Sequence, residues 1–124
     1  MPETKRVLVV EDDDGIRQAV AEGLELEGYE VLTATNGAEA LEQVRTGRPD
    51  AVLLDLMMPV MDGWAFLEAC RREELCDGTP VLVMSAYRAL PETAPQLGVK
   101  GCIAKPFDLD VVLGAVERLV QRAA

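Results

Sequence analysis

Apolar residues gather in five short runs: Val7–Val10, Val31–Thr35, Ala51–Leu54, Val81–Met84 and Cys102–Ala104. Val7–Val10 and Val81–Met84 are continuous rather than alternating, the pattern of strands covered on both faces of a parallel sheet. The segments between the runs repeat at helical spacing. Ile16, Val20 and Leu24 recur every four residues; Ala38, Leu41 and Val44, and then Trp64, Leu67 and Cys70, recur every three. Val112, Ala115, Val116, Leu119 and Val120 form a wide apolar stripe further on. Glu27-Gly28, Asn36-Gly37, Gly47-Arg48-Pro49-Asp50 and Asp77-Gly78-Thr79-Pro80 read as the turns between elements. Strand and helix thus alternate five times. That order predicts an α/β domain with a parallel sheet, helices on both faces and right-handed crossovers. The weakest helical segment is Arg88–Leu97. Pro91 suits a first helical position but Pro95 interrupts an interior, so a short or irregular helix is expected there.

The 124 residues fit one domain, and a hydrophobic share of 49% is enough for a core. No repeat, low-complexity tract or linker breaks the pattern, so a single domain over 1–124 is expected, with no effector domain in this chain. No run approaches the roughly 20 apolar residues of a membrane span. Val7–Val10 is too short for a signal-peptide core and acids follow at once, so a cytoplasmic location is expected. The formal charge of −10 favours solubility and argues against direct nucleic-acid binding or docking on anionic membranes. The three cysteines, Cys70, Cys76 and Cys102, are odd in number and contain no C-x-x-C, which argues against a disulfide framework. The chain has no histidine. Ser-His and Cys-His nucleophiles are therefore excluded, and a zinc site is disfavoured. Any chemistry falls to carboxylates, hydroxyls and lysines.

Open parallel sheets bind ligands beyond the carboxyl ends of their strands. Glu11, Asp12, Asp13 and Asp14 follow the first apolar run, Asp55 the third, Ser85 the fourth, and Lys105-Pro106 the fifth. The second is followed by Thr35-Asn36-Gly37, an ordinary turn. Singly these residues carry little: Asp13 or Asp14 suits a helix N-cap, Ser85 a turn, and Lys105 a solvated surface. Together they make a pattern. Clustered carboxylates repel one another unless a cation lies among them, and Mg²⁺ takes one or two carboxylates with water and phosphate oxygens. A lysine opposite the acids adds a second positive charge for a phosphoryl group, and a hydroxyl adds a neutral donor. Aspartate is ionised at pH 7 and needs no base to act as a nucleophile. Its obstacle is the anionic donor, and a divalent ion with Lys105 would remove that repulsion. The product of such an attack is an aspartyl phosphate.

From about Lys5 onward the chain resembles the receiver domains of two-component response regulators. The resemblance is carried by Asp55-Leu56-Met57-Met58-Pro59-Val60-Met61-Asp62-Gly63, by Val9-Val10-Glu11-Asp12, by Met84-Ser85-Ala86 and by Ala104-Lys105-Pro106-Phe107, all in family order. It implies a flavodoxin-like (βα)5 three-layer sandwich with strand order 2-1-3-4-5. It implies that Asp55 accepts a phosphoryl group from a histidine kinase, a phosphotransfer protein or a small phosphodonor. Mg²⁺ would be held by Asp12, Asp55 and the backbone carbonyl of Met57, with Glu11 acting through water. Ser85 would bond a phosphoryl oxygen, and Lys105 would pair with Asp55 and then with the phosphoryl group. The Lys105–Pro106 bond would be cis. The output would be altered binding of a protein target, with no catalytic turnover beyond the domain's own phosphorylation and slow dephosphorylation. Met57 and Tyr87 fall where the family sets phosphate lifetime, and neither resembles the amide and acidic groups of fast receivers.

Two features depart from the pattern. Cys102 stands three residues before the lysine, where many receivers carry Tyr or Phe, and Ser85 to Lys105 is about two residues short. Both fall on the usual output face. The runner-up reading is therefore a degenerate receiver that binds a partner independently of phosphorylation; the acids, Ser85 and Lys105 argue against it. Four consecutive acids after the first strand would repel a flavin phosphate, which excludes an electron carrier. Met57 stands where an aspartyl phosphatase would place its second acid, which argues against turnover of external substrates.

Overall fold

In the computed structural model of the chain, residues 4–76, 78–85 and 99–123 are described. The elements are β1 (Arg6–Val10), α1 (Asp14–Leu26), β2 (Glu30–Ala34), α2 (Gly37–Gly47), β3 (Ala51–Asp55), α3 (Gly63–Glu73), β4 (Val81–Ser85), β5 (Val99–Ala104) and α4 (Leu109–Ala123). The five strands form one sheet in the order β2-β1-β3-β4-β5, with every pair parallel. The expected helix at Arg88–Leu97 lies outside the described residues.

Successive residues of a strand point to opposite faces, and the two faces here build separate cores. Leu8, Val10, Val52, Leu54 and Val83 pack with Ala40, Leu41 and Val44 of α2 and Phe66, Leu67 and Cys70 of α3. Val7, Val9, Leu53, Met84 and Ile103 pack with Val20 and Leu24 of α1 and Val112 and Val116 of α4. This is the three-layer sandwich. Every residue of β3 and β4 is buried, as continuous apolar runs require of strands between two helical layers. Phe66 is the largest fully buried side chain. Burying a side chain of that kind contributes about 1.5–3 kcal/mol.

Four details refine the sequence pattern. β2 begins at Glu30 and ends at Ala34, one residue earlier than its apolar run. β5 starts at Val99 rather than Cys102, because Val99 pairs with Val81 and the ladder continues past a register shift to Gly101 opposite Leu82. Lys100 is exposed and Gly101 half-buried on this edge strand, so neither carries an apolar signal. The stripe of α2 is Ala40, Leu41 and Val44, while Ala38 is exposed; a strict three-residue spacing drifts off a 3.6-residue turn. In α3 the buried set gains Phe66 and Ala69, and Trp64 is half-buried at the rim.

The helix starts anchor the loops that leave the sheet. Asp13 Oδ1 accepts from the Ile16 amide at 2.9 Å, Asn36 Oδ1 from Glu39 at 2.9 Å, and Asp62 Oδ1 from Ala65 at 2.8 Å. Each such N-cap is worth about 1 kcal/mol. Gly63 opens α3 against the end of β3. Its amide donates to the Leu56 carbonyl at 3.0 Å, and a Cβ at this position would stand 2.6 Å from the Asp55 carbonyl oxygen and 2.8 Å from Leu56 Cα. Those neighbours are backbone and cannot swing away. Gly63→Ala should therefore lower the unfolding free energy by about 1–3 kcal/mol, the ordinary cost of overpacking. Urea titration at unchanged slope measures this.

Candidate functional site

β1 and β3 are neighbours in register, Val10 opposite Leu54, so the residues that follow them emerge side by side. Glu11 continues the ladder by donating its amide to the Ala34 carbonyl at 3.0 Å, and its side chain turns inward and is fully buried. Asp55 is the last residue of β3 and is also buried. Asp12 lies beside them and is exposed. Side-chain oxygens of Glu11, Asp12 and Asp55 all lie within 4.8 Å of one another.

β5 delivers the counter-charge. Lys105 follows it, its amide held by the Ser85 carbonyl at 2.8 Å, and the Lys105–Pro106 peptide bond is cis. Lys105 Nζ reaches Glu11 Oε1 at 2.5 Å and Asp55 Oδ2 at 3.4 Å. The lysine expected on Asp55 is thus closer to Glu11, because the buried carboxylate of Glu11 offers few other partners. Its second oxygen accepts the Asp13 amide at 3.1 Å. Ser85, fully buried, ends β4 opposite Ala104 and so shares this edge of the sheet. Tyr87 lies outside the described residues.

Burial pushes Glu11 up to about 7, with the neighbouring charge of Asp55 adding to the effect and Lys105 and the Asp13 amide opposing it. Burial pulls Lys105 down, but Glu11 and Asp55 outweigh it and its pKa is raised. One ammonium therefore faces three crowded carboxylates. An all-oxygen donor set with excess negative charge fits a hard divalent cation such as Mg²⁺ or Ca²⁺ rather than a soft metal. Among the described residues this is the one group of His, Cys, Asp and Glu side chains arranged to hold an ion.

The loop after β3 shapes the mouth of the pocket. The Met57 amide donates to Asp55 Oδ1 at 3.3 Å, while its side chain is 60% exposed. Val60 is exposed with φ 69°, a conformation a β-branched residue rarely adopts. The Met61 carbonyl accepts from the Gly37 amide at 2.8 Å, which ties this loop to the start of α2. A side chain at Gly37 would meet Met61 at 2.6 Å. Arg17, overlooked in the sequence, donates from Nη1 to the Glu11 carbonyl at 2.9 Å and pairs with Asp14, so α1 holds the acidic loop from below. Its spacing of three from Asp14 on a helix start was a readable signal; the Val60 backbone and the Gly37–Met61 contact left none.

A doubly wound parallel sheet whose carboxylate pocket is closed by a lysine defines an α/β domain built to meet an anionic group beside a cation. The chain belongs to the response regulator receiver domain family, whose pattern matches residues 7–117. It is 38% identical over 122 residues to Response regulator MprA of Mycobacterium sp. (strain KMS), covering 96% of this chain and 52% of that protein. It is 40% identical over 119 residues to Transcriptional regulatory protein PrrA of Mycobacterium tuberculosis, covering 94% and 50%. The chain therefore spans about half the length of the curated relatives it matches. Among solved structures, chemotaxis response regulator CheY4 of Vibrio cholerae superposes with a TM-score of 0.85 at 35% identity, over 94% of this chain and 99% of that one. The domain is accordingly a signalling module of two-component systems.

The raised pKa of Glu11 gives a pH test. The folded domain holds a proton there that the unfolded chain releases at the ordinary 4.5. This group's contribution to stability is therefore full below about 4.5 and lost as pH rises through about 7. No histidine titrates in that window. In EDTA, the melting temperature should fall between pH 5 and pH 7.5, and Glu11→Gln should flatten the slope.

Proposed function

We propose that Asp55 is the phosphoacceptor, that Mg²⁺ occupies the pocket of Glu11, Asp12 and Asp55, and that a histidine kinase or small phosphodonor supplies the phosphoryl group. The observation that carries this reading is a buried carboxylate at the end of a central strand, 3.4 Å from a lysine and grouped with two further carboxylates. A side-chain oxygen of Asp55 attacks phosphorus. The phosphorus–nitrogen bond of the phosphohistidine breaks, and the departing imidazole regains its proton from solvent. The metal, held by Asp12, Asp55 and the Met57 carbonyl with Glu11 behind them, would supply charge neutralisation for the incoming anion. Lys105 leaves its carboxylate partners for a phosphoryl oxygen, and Ser85 donates its hydroxyl to another. That exchange of partners at the ends of β4 and β5 is the step that couples chemistry to shape.

Among the described residues no helix is long and apolar enough to cross a membrane. A cytoplasmic module acting through a protein target, with no direct nucleic-acid or membrane contact of its own, is the setting this reading implies. The domain would promote its own phosphorylation and slow dephosphorylation, without turnover of other substrates. A phosphorylation-independent binding module is not favoured, because every group the chemistry needs is gathered at one edge of the sheet.

Three outcomes are expected. Acetyl phosphate with Mg²⁺ should add one phosphoryl mass to the parent and none to Asp55→Asn; full labelling of that variant would remove Asp55 from its role. Mg²⁺ should raise the melting temperature of the unphosphorylated domain by simple linkage. Asp12→Ala should lose that rise while gaining metal-free stability, since one like charge has left the cluster. Finally, Met57 is apolar and cannot orient a hydrolytic water. Its side chain is exposed and its amide bonds Asp55, so on this reading the aspartyl phosphate should decay slowly. Met57→Asn should shorten its half-life severalfold after donor removal, and an unchanged decay would show that residue 57 does not set the lifetime.

A further inference from the structure

We propose that Cys70 and Cys76 form an oxidisable dithiol that closes to an intramolecular disulfide and clamps the turn between α3 and β4. Cys70 lies in the last turns of α3 and is buried; Cys76 lies in the turn beyond it and is half-buried. No disulfide joins the three cysteines, yet the Cys70 and Cys76 sulfurs are 2.7 Å apart. That is short of a bond and far inside ordinary non-bonded contact for two sulfurs.

The backbone already holds the two residues in this relation. The Leu75 amide donates to the Cys70 carbonyl at 2.9 Å, and the Thr79 amide donates to the Cys76 carbonyl at 3.0 Å. Glu74 takes a left-handed conformation, φ 56°, that turns the chain back over the end of α3. Closing the bridge therefore asks for little rearrangement, and the closed loop is short.

The accessible thiol is Cys76. The Cys70 thiol is pushed up by its contact with Cys76 and by burial, which leaves it a poor first nucleophile. Cys76 is half-buried, in contrast to the buried Cys70, and so is the thiol a small oxidant reaches first. The oxidant is a low-molecular-weight disulfide. The Cys76 sulfur attacks one of its sulfurs, forming a mixed disulfide and releasing one small thiol. The Cys70 sulfur then attacks Cys76 and releases the second. Two protein thiols are oxidised, the small disulfide is reduced to two thiols, and these carry off both protons. The bridge forms at the amino ends of the strands, across the sheet from Glu11, Asp55 and Lys105, so it stabilises the domain without entering the pocket.

The test uses the whole chain with glutathione disulfide as the probe, followed by alkylation and peptide mapping. The expected product is 2 Da lighter, with a Cys70–Cys76 linked peptide and Cys102 alkylated. Its melting temperature should be several degrees higher, and dithiothreitol should reverse both changes. Cys76→Ser and Cys70→Ala should each abolish the linked peptide, and Cys102→Ser should not. Acetyl phosphate labelling should be equal in the two redox states. Alkylation of Cys70 and Cys76 as complete as that of Cys102, a mixed disulfide that persists on Cys76, or a link to Cys102 would each overturn the proposal.

Discussion

The pocket depends on one ammonium set among three carboxylates. Lys105 is nearly buried, and its position is fixed by the ladder between β4 and β5 rather than by its own long side chain. Attraction to Glu11 and Asp55 outweighs the cost of taking the charge out of water, yet a single positive charge does not balance the cluster. Glu11 is pushed up to about 7 chiefly by its burial, with the charge of Asp55 adding to the effect, even with a lysine at 2.5 Å. The rest of the domain holds these like charges together. Two separate cores seal the sheet on both faces, and the helix caps at Asp13 and Asp62 fix the loops that follow β1 and β3, beside the acids. Crowding of like charge in such a site is what a bound cation relieves.

Most of this was legible in the sequence because the signals agree at several levels. Continuous apolar runs at Val7–Val10 and Val81–Met84 mark strands covered twice, and polar residues directly after four of the runs mark one edge of the sheet. The parallel ladder turns that chain order into proximity, bringing Glu11 within reach of Lys105 across 94 residues. What the pattern missed has a physical cause in each case. β5 is an edge strand, so Lys100 and Gly101 take part in pairing with no apolar mark. Ala38 and Ala40 are the same residue type, and only the true helical period separates the exposed one from the buried one. The closer approach of Lys105 to Glu11 than to Asp55 is a matter of side-chain placement that motif order does not encode. The proximity of Cys70 to Cys76 depends on the left-handed turn at Glu74, a conformation with no glycine to announce it.

Cys102 shows how a local departure can leave the chemistry intact. It is half-buried on β5 opposite Val83 and packs against the face that α2 and α3 cover. A small thiol there fills less space than a ring and has no ring to reorient. The loop after β3, however, has a contact of its own with a neighbouring helix. The loop after Asp55 is bonded through the Met61 carbonyl to Gly37, at the first residue of α2, with no room between them for a side chain. Val60 in the same loop is held at a positive φ that its β-branched side chain disfavours by about 1–3 kcal/mol. A loop under strain and in contact with the next helix start does not move alone. Met57 and Met58 belong to the same loop, so it joins Asp55 to the start of α2. The link from the β3–α3 loop to α2 does not run through Cys102, so a thiol at that position leaves it intact.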